Sequence, residues 1–305
     1  MIRSEMSDEK QKQHLADIPG DGITRFSMLG GSVRGSLLAG TRLAAQARAN
    51  HGLGILESLV LSQALVGAGL LSSTLKEGNR IGIKMDCTGP VRGFSAEASW
   101  DGKVRGYLFS NTIVLDKALE SFDLKPFIGE GTLSVTRKPP SGEPYTGHIS
   151  LVHGRIAEDI TEYFLRSEQI RTAMALSVHF DKRGAIAGAG GLFFQALPGA
   201  GDIDMEDTEL RLRELPSLGT WFSQGFSRAE LLSEWFSAFE VDVLAEDPVE
   251  FDCSCSKERF GSYLKTLGQA ELEDMIRKGP FPMELRCHNC SSVYPFSRED
   301  LEALL

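Results

Sequence analysis

The sequence predicts an α+β protein with a small cysteine-bearing module at its C-terminal end. Predicted strands and helices come in blocks, without the regular strand–helix alternation of a parallel α/β sheet. With 42% hydrophobic and 24% charged residues, the composition is that of a folded globular chain. We predict a core domain over residues 23–198, a helical linker over 199–248 and a small C-terminal domain over 249–305.

The first part of the chain, residues 1–22, is polar and charged and lacks the apolar segment of a signal peptide. We interpret it as a polar tail with no apolar pattern to pack, and we predict that deleting Met1 to Asp21 leaves the fold and the activity intact. Residues 25–38 then alternate apolar side chains with glycines, which predicts one strand with a bend or bulge.

Two helices are predicted next. The first is alanine-rich, covers residues 41–50 and ends at His51-Gly52. The second covers residues 53–75 and is nearly long enough to cross a membrane. Because it also carries Glu57, serines and glycines, we interpret it as a buried core helix.

Short strand-like runs separated by turns make up the rest of the core domain. Residues 80–109 contain three of them, with Asp101-Gly102 as a typical hairpin turn. Further strand pairs over 131–153 and 174–197 lie on either side of an amphipathic helix over 155–169.

The linker is distinguished by large aromatic residues. One of its helices opens with the capping box Ser227-Arg228-Ala229-Glu230 and carries an apolar stripe that includes Trp235 and Phe236. On the sequence alone, such a stripe favours an ordinary helix packed on the core over a segment that detaches.

Four cysteines carry the chemistry that the sequence points to. They form a CxC pair and a CxxC pair separated by 31 residues. Four thiolates complete the tetrahedral shell of Zn²⁺, so we predict one zinc ion per chain. The predicted ligands are Cys253, Cys255, Cys287 and Cys290. A closed sulfur shell has no position for water or substrate, which argues against hydrolysis, and His288 is the alternative ligand.

The surroundings of the cysteines leave two interpretations open. Lys257, Arg259 and Arg286 are candidates to offset the negative charge of the cluster. The spacing alone favours a purely structural zinc site, whereas the close CxC pair makes a local, strained disulfide conceivable. Bound zinc contributes about 10–16 kcal/mol in small peptides and a module of this size only ~3–5 kcal/mol from its core, so zinc loss should unfold it.

The remaining candidate residues predict no second site. We expect Cys87 to be a small buried hydrophobic residue on a strand. The other histidines are scattered, without a nucleophile or carboxylate pair beside them in a recognisable pattern. They are His14, His51, His148, His153 and His179.

The net charge of −10 disfavours nucleic acid and anionic membranes as partners. Without an export signal, and with an odd number of cysteines that forms no secreted disulfide framework, the chain is expected to be cytoplasmic.

Several specific segments follow one another along the chain from about Arg25 to the C-terminus. They are VRG at 33–35, VRGY at 104–107, GEGTLSVT from 129, YFLRSEQ at 163–169, GGLFFQALP ending at 198, VEFDCSCSKER at 249–259 and CHNC at 287–290. In this order they resemble the heat-shock protein 33, or 33-kilodalton chaperonin, family of redox-regulated chaperones.

The resemblance implies a chaperone and not an enzyme. In that family the reduced, zinc-bound form is inactive. Oxidation with unfolding conditions forms two disulfides, here Cys253 with Cys255 and Cys287 with Cys290, releases zinc, unfolds the linker and favours homodimers. The active form holds unfolding client proteins without ATP. The candidate client-binding residues in the linker are Trp221, Phe226, Trp235, Phe236 and Phe239.

Two other functions remain as alternatives. A thiol–disulfide oxidoreductase would use the same cysteines, but they lie outside a thioredoxin-like strand–helix context. A nucleic-acid-binding zinc ribbon would need a basic, aromatic face around the metal, whereas acidic residues such as Glu258, Glu271 and Asp274 are interspersed here.

Overall fold

The structure, a computed structural model, describes residues 1–114 and 122–305. Its helices are α1 (Glu9–Asp17), α2 (Thr41–His51), α3 (Ile55–Ser72), α4 (Lys125–Ile128), α5 (Ile156–Tyr163), α6 (Asp202–Glu214), α7 (Leu218–Ser223), α8 (Arg228–Trp235), α9 (Lys257–Lys265), α10 (Gln269–Lys278) and α11 (Arg298–Glu302). Its strands are β1 (Gly22–Met28), β2 (Val33–Ala39), β3 (Arg80–Cys87), β4 (Gly93–Ser99), β5 (Lys103–Leu108), β6 (Gly131–Lys138), β7 (Tyr145–Ser150), β8 (Thr172–Phe180), β9 (Ile186–Ala196), β10 (Asp242–Asp247), β11 (Glu250–Phe251), β12 (Met283–Arg286) and β13 (Val293–Phe296).

The architecture confirms the predicted α+β class. A five-stranded sheet has the order β10-β1-β2-β9-β8, and a six-stranded sheet has the order β11-β5-β4-β3-β6-β7. All their neighbouring strands are antiparallel except β11 and β5. The hairpin of β12 and β13 forms a separate small sheet. The turn between β4 and β5 contains Gly102 at φ +77°, a conformation that favours glycine.

Helix α3 is the centre of the core. It contacts β3, β4 and β5 of the six-stranded sheet and β2, β8 and β9 of the five-stranded sheet, so it lies between the two. Its length and composition are sufficient to cross a membrane, but 89% of its apolar window is buried inside the protein. This burial agrees with the core helix predicted from its serines and glycines.

The segment predicted as one bent strand is a hairpin. β1 ends at Met28, a short 3₁₀ turn follows, and β2 returns antiparallel to β1 from Val33. Gly30 and Gly31 have φ values of +63° and +89°, which glycine adopts without steric cost. The glycines interpreted as a bulge therefore reverse the chain.

The expectation that residues 1–22 would have nothing to pack against is wrong. Asp8 caps helix α1 by accepting hydrogen bonds from the backbone of Lys10 and Gln11, and Leu15 and Ile18 are buried. The guanidinium of Arg42 donates to the backbone carbonyls at the end of this segment, those of Leu15, Ile18 and Pro19. Two apolar residues and one distant arginine make too weak a local pattern to reveal this docking from the sequence.

The linker covers the outer face of the five-stranded sheet. Helices α6, α7 and α8 share a hydrophobic cluster with side chains of β1, β2 and β9, such as Phe26, Leu37 and Phe194. The linker is not wholly helical, because β10 adds to the edge of the sheet beside β1. The capping box at Ser227 is formed as predicted.

Residues 249–305, here called the cysteine module, combine β11, α9, α10, the β12–β13 hairpin and α11. The capping box of α11, between Ser297 and Asp300, is formed. Few side chains are buried within it besides the cysteines. They include Leu264, Leu272, Tyr294, Phe296 and Leu301. Because this apolar set is small, the module depends on its cysteines and on its contacts with the core.

Candidate metal centre

The two cysteine pairs lie at the ends of short strands. Cys253 and Cys255 follow β11, and Cys287 to Cys290 form the turn between β12 and β13. In this cysteine turn, the N–H of Cys287 donates to the carbonyl of Ser292 over 2.9 Å, and the N–H of Ser291 donates to the carbonyl of Cys287 over 2.8 Å. These hydrogen bonds close the turn and direct both of its sulfurs toward the CxC pair.

The four sulfurs form one buried cluster. They all lie within 4.8 Å of one another. The Sγ atoms of Cys253 and Cys287 are 3.8 Å apart, and those of Cys255 and Cys290 are 3.3 Å apart. A tetrahedral shell with metal–sulfur distances of about 2.3 Å has sulfur–sulfur edges of about 3.8 Å. The cluster therefore fits the sulfur shell of a single metal ion.

Hydrogen bonds among the thiols shift the pKa values of Cys253, Cys287 and Cys290. Hydrogen bonds from Cys287 and Cys290 lower the pKa of Cys253. The same hydrogen bond raises the pKa of Cys287 to about 11, and the pKa of Cys290 is also raised. Because metal ligation requires every thiol to lose its proton, metal binding to this cluster should weaken as the pH falls.

Two polar side chains lie beside the sulfurs on the side of the cysteine turn. The hydroxyl of Tyr294 is 3.2 Å from Cys255 Sγ and donates to the carbonyl of Cys255 over 2.9 Å. The hydroxyl of Ser292 is 3.2 Å from Cys290 Sγ. These contacts could not be predicted from the sequence, because serine and tyrosine are not typical metal ligands.

Arg105 of β5 is a basic residue that reaches the cluster. Its Nη1 lies 3.6 Å from Cys253 Sγ, and its Nη2 bonds Glu97 over 2.7 Å. Burial raises the pKa of Glu97, but the hydrogen bond from Lys138 and the charge of Arg105 outweigh it, and the pKa stays below its usual value. The core sheet thus holds a positive charge against the thiolates.

Two of the three charged partners predicted from nearby sequence, Lys257 and Arg259, have other contacts. Lys257 pairs with Asp300 over 2.7 Å, and Arg259 donates to Ser254 over 2.7 Å. The alternative ligand His288 lies outside the sulfur cluster and has its ring 5.7 Å from that of Tyr107. The sequence signal for Arg105 is limited to strand alternation, which places it on the other face of β5 from Val104 and Gly106.

The cysteine turn is also tied to helix α2. Asn50 Nδ2 donates to the carbonyl of Cys290 over 2.9 Å, and the ring of His51 is 2.9 Å from the hydroxyl of Ser291. Burial lowers the pKa of His51, so this imidazole is neutral near pH 7. Both residues are buried at the end of α2, where the module meets the core.

The linker aromatics, proposed from the resemblance, are mostly covered. Phe236 is fully buried, with its ring 5.4 Å from that of Phe194 in β9. Trp221 and Phe239 are also buried, whereas Phe226 is 39% exposed and lies against Trp221. Trp235 is partly buried, and its indole N–H has no hydrogen-bond partner among the residues that the structure describes. Client binding by these side chains would require the linker to move.

The other sequence candidates lie away from the metal centre. Cys87 is half-buried at the end of β3, so it is less enclosed than predicted, and burial raises the pKa of its thiol. His14 bonds the carbonyl of Ala187, and His153 lies near Glu158 and Glu162.

Replacing Arg105 by methionine should weaken metal binding about 10- to 100-fold, because partners of the ligating atoms orient and stabilise them. Glu97 would keep its contacts with Lys138 and Arg80, so it would not be left unpaired. Chelator competition on the reduced protein measures this. The matched control is Arg155→Met, which removes an arginine that pairs with Asp123. Equal metal affinity in the two variants would contradict the role given to Arg105.

The comparisons with known proteins agree with one another. The sequence model of a family described as Hsp33 protein matches residues 21–297. The 33 kDa chaperonin of Levilactobacillus brevis is 33% identical over 288 residues, which cover 93% of this chain and 97% of that protein. The 33 kDa chaperonin of Lactobacillus johnsonii is 36% identical over 265 residues, which cover 86% of this chain and 90% of that protein.

A solved structure matches the fold as well. The crystal structure of the 33 kDa chaperonin of Thermotoga maritima superposes with a TM-score of 0.84 at 30% sequence identity. The match covers 94% of this chain and 98% of that one. The similarity thus extends over the core, the linker and the cysteine module together.

Proposed function

Because this chain belongs to the Hsp33 protein family, a family of chaperones and not of enzymes, we propose that it is a redox-regulated holdase that works without ATP. The observation that carries the proposal is the cluster of four buried thiols at the contact between the cysteine module and the core. Oxidation of such a cluster changes the packing of the module, and no turnover chemistry is needed.

In the resting state, the cluster holds one Zn²⁺ on Cys253, Cys255, Cys287 and Cys290. Zinc fits the donor set, because four thiolates are a typical closed shell for this ion. When bound, zinc keeps all four sulfurs deprotonated and crosslinks the two halves of the module. Arg105 contributes a positive charge to the thiolates, and the turn hydrogen bonds hold Cys287 and Cys290 in place.

Oxidation removes the ligands. Each disulfide forms when two cysteine sulfurs pass two electrons to hydrogen peroxide: the O–O bond breaks as the S–S bond forms, and two protons, from the thiols or from solvent, complete two water molecules. The proposed disulfides join Cys253 with Cys255 and Cys287 with Cys290, a pairing that rests on the family resemblance. In the reduced cluster the shortest sulfur distances run between the pairs, but all four sulfurs are within reach of one another.

The cysteine module and the linker are joined through β11. Residues Glu250 and Phe251 pair with β5, next to Arg105, and the preceding strand β10 is the last element of the linker. When the module loses its metal and unfolds, β11 no longer has a folded domain on its C-terminal side to hold it beside β5. The linker then leaves the five-stranded sheet and exposes its aromatic side chains, together with the sheet face beneath them, to unfolding client proteins.

The remaining parts of the proposal concern location and assembly. The activated protein forms homodimers, acts in the cytoplasm, and binds neither nucleic acid nor membranes. The net charge of −10 supports the last point, because it repels phosphate groups.

Two-step activation tests the proposal. Peroxide alone should form the Cys287–Cys290 disulfide and release zinc with little chaperone activity. Peroxide with heating should add the more strained Cys253–Cys255 disulfide and give strong suppression of aggregation. Mass spectrometry maps the disulfides, a chromophoric chelator counts released zinc, and light scattering of a heat-denatured client reports activity.

Two results would contradict the proposed redox regulation or the proposed order of disulfide formation. One is full activity in the reduced, metal-bound protein, and the other is formation of the Cys253–Cys255 disulfide before the other one. An insulin-reduction assay on the same samples separates the oxidoreductase alternative, because a holdase shows no turnover.

A further inference from the structure

Residues 1–7, here called the strap, reach the metal centre. The N–H of Ile2 donates to the hydroxyl of Ser292 over 2.9 Å, and that hydroxyl lies 3.0 Å from the carbonyl of Ile2. Ser292 closes the cysteine turn and touches Cys290 Sγ. The strap therefore contacts the turn that supplies two of the four thiols.

Asn50 joins the strap, the cysteine turn and helix α2. Its Nδ2 donates to the carbonyls of both Ile2 and Cys290, each over 2.9 Å. Its Oδ1 accepts the N–H of Ser4 over 3.1 Å. The side chain is only 8% exposed, so these hydrogen bonds are shielded from competing water.

Further contacts fix the strap along α2 and β11. Gln46 of α2 donates to the carbonyl of Ser4 over 3.0 Å, and Arg3 pairs with Glu250 over 2.9 Å. Met1 packs against the main hydrophobic cluster, which contains all four cysteines. These contacts place the strap across the line where the cysteine module meets the core.

Helix α1 anchors the other end of the strap. Gln11 and His14 bond the backbone carbonyls of Ile186 and Ala187 in β9, and Asp8 pairs with Arg183 over 2.7 Å. Because α1 is held in this way, the strap closes on the cysteine turn at a small cost in conformational entropy.

We propose that the strap is a latch that keeps the cysteine turn closed and sets the rate at which the thiols react with oxidant. Cys290 is fully buried, so an oxidant reaches it only when the turn opens. Opening must break the hydrogen bonds of Ile2 to Ser292 and Asn50, and each added bond lowers the open population. The latch rests on the proposed redox function, to which it adds control over the rate of thiol oxidation. The strap precedes residue 21, where the family match begins.

Deleting residues 2–7, so that Met1 precedes Asp8, tests the latch in the otherwise complete chain. In the reduced, metal-bound protein, hydrogen exchange at residues 287–292 should become about tenfold faster, the change expected from losing one or two net hydrogen bonds. Loss of free thiols in peroxide should accelerate by a similar factor. Ile2→Pro, which removes only the N–H that donates to Ser292, should give a smaller change in the same direction.

The control is Arg155→Met, which removes a surface ion pair with Asp123 and leaves every contact of the strap, of α1 and of the cysteine turn in place. Unchanged exchange at residues 287–292 after the deletion would overturn the latch. So would an equal acceleration over the whole chain, or an equal effect in Arg155→Met, because either one would indicate general destabilisation. Exchange is read without client protein, so failure of the chaperone proposal, seen as an inactive oxidised wild type, is a separate result.

Discussion

Replacing Cys287 and Cys290 together by serine should abolish metal binding and unfold the cysteine module. The pair supplies two of the four sulfurs, and a serine hydroxyl is a poor substitute for a thiolate. Zinc contributes about 10–16 kcal/mol in small zinc-binding peptides, whereas an apolar core of this size contributes only ~3–5 kcal/mol. The module cannot compensate for such a loss.

Metal content, measured by elemental analysis, should fall from one ion per chain to none. Trypsin should then cleave within residues 257–305 and leave the core domain intact. Cys87→Ser is the matched control, because it removes a half-buried thiol of β3 that lies outside the cluster. A double variant that retains one tightly bound metal ion would show that the ligands are assigned wrongly.

Phe236→Ala should make the reduced protein an active chaperone. Phe236 is fully buried between the linker and β9, where its ring lies against Phe194. Removing a buried phenylalanine side chain costs about 3–5 kcal/mol, most of which would be lost from the docked state of the linker. The variant should therefore suppress client aggregation without oxidant, while all four cysteines of the cluster remain reduced and zinc remains bound to them.

Phe226→Ala controls for the loss of an aromatic side chain. Phe226 belongs to the same linker, but it is 39% exposed and its ring lies 4.6 Å from that of Trp221, so its removal should leave the linker docked. Light scattering of a heat-denatured client, with thiol counts on the same samples, compares the two variants. If Phe236→Ala released the linker and still did not bind client, exposure of the linker would not be the activating event.

The four candidate metal ligands could be predicted from the sequence, because their motif depends on short spacings along the chain. A CxC and a CxxC pair each bring two sulfurs together locally, so only the distance between the pairs was left to the fold. Helix capping is similarly local, and the capping box at Ser227 is formed as predicted. The long apolar helix was predicted from its length and its serines, and it is buried between the sheets.

The contacts that the sequence did not reveal are long-range. Strand β10 is acidic and mostly exposed, and it is a strand because Ile23 and Thr24 of β1 provide a partner. Arg105 is 148 residues from Cys253 in sequence, and Ile2 is 290 residues from Ser292. Each of these pairs is set by how the module lies on the core. The position of the module on the core cannot be predicted from the composition or the periodicity of either segment alone.

Hydrogen exchange of the linker, measured with chaperone activity on the same samples, tests the central claim most directly. The claim is that the thiol cluster controls activity by keeping residues 202–247 docked. Reduced protein should protect this segment, peroxide alone should expose only the cysteine module, and peroxide with heating should expose the linker while β3 and β6 stay protected. Activity should rise with linker exchange and not with zinc loss. Full suppression of aggregation by oxidised protein whose linker remains as protected as in the reduced state would contradict the account.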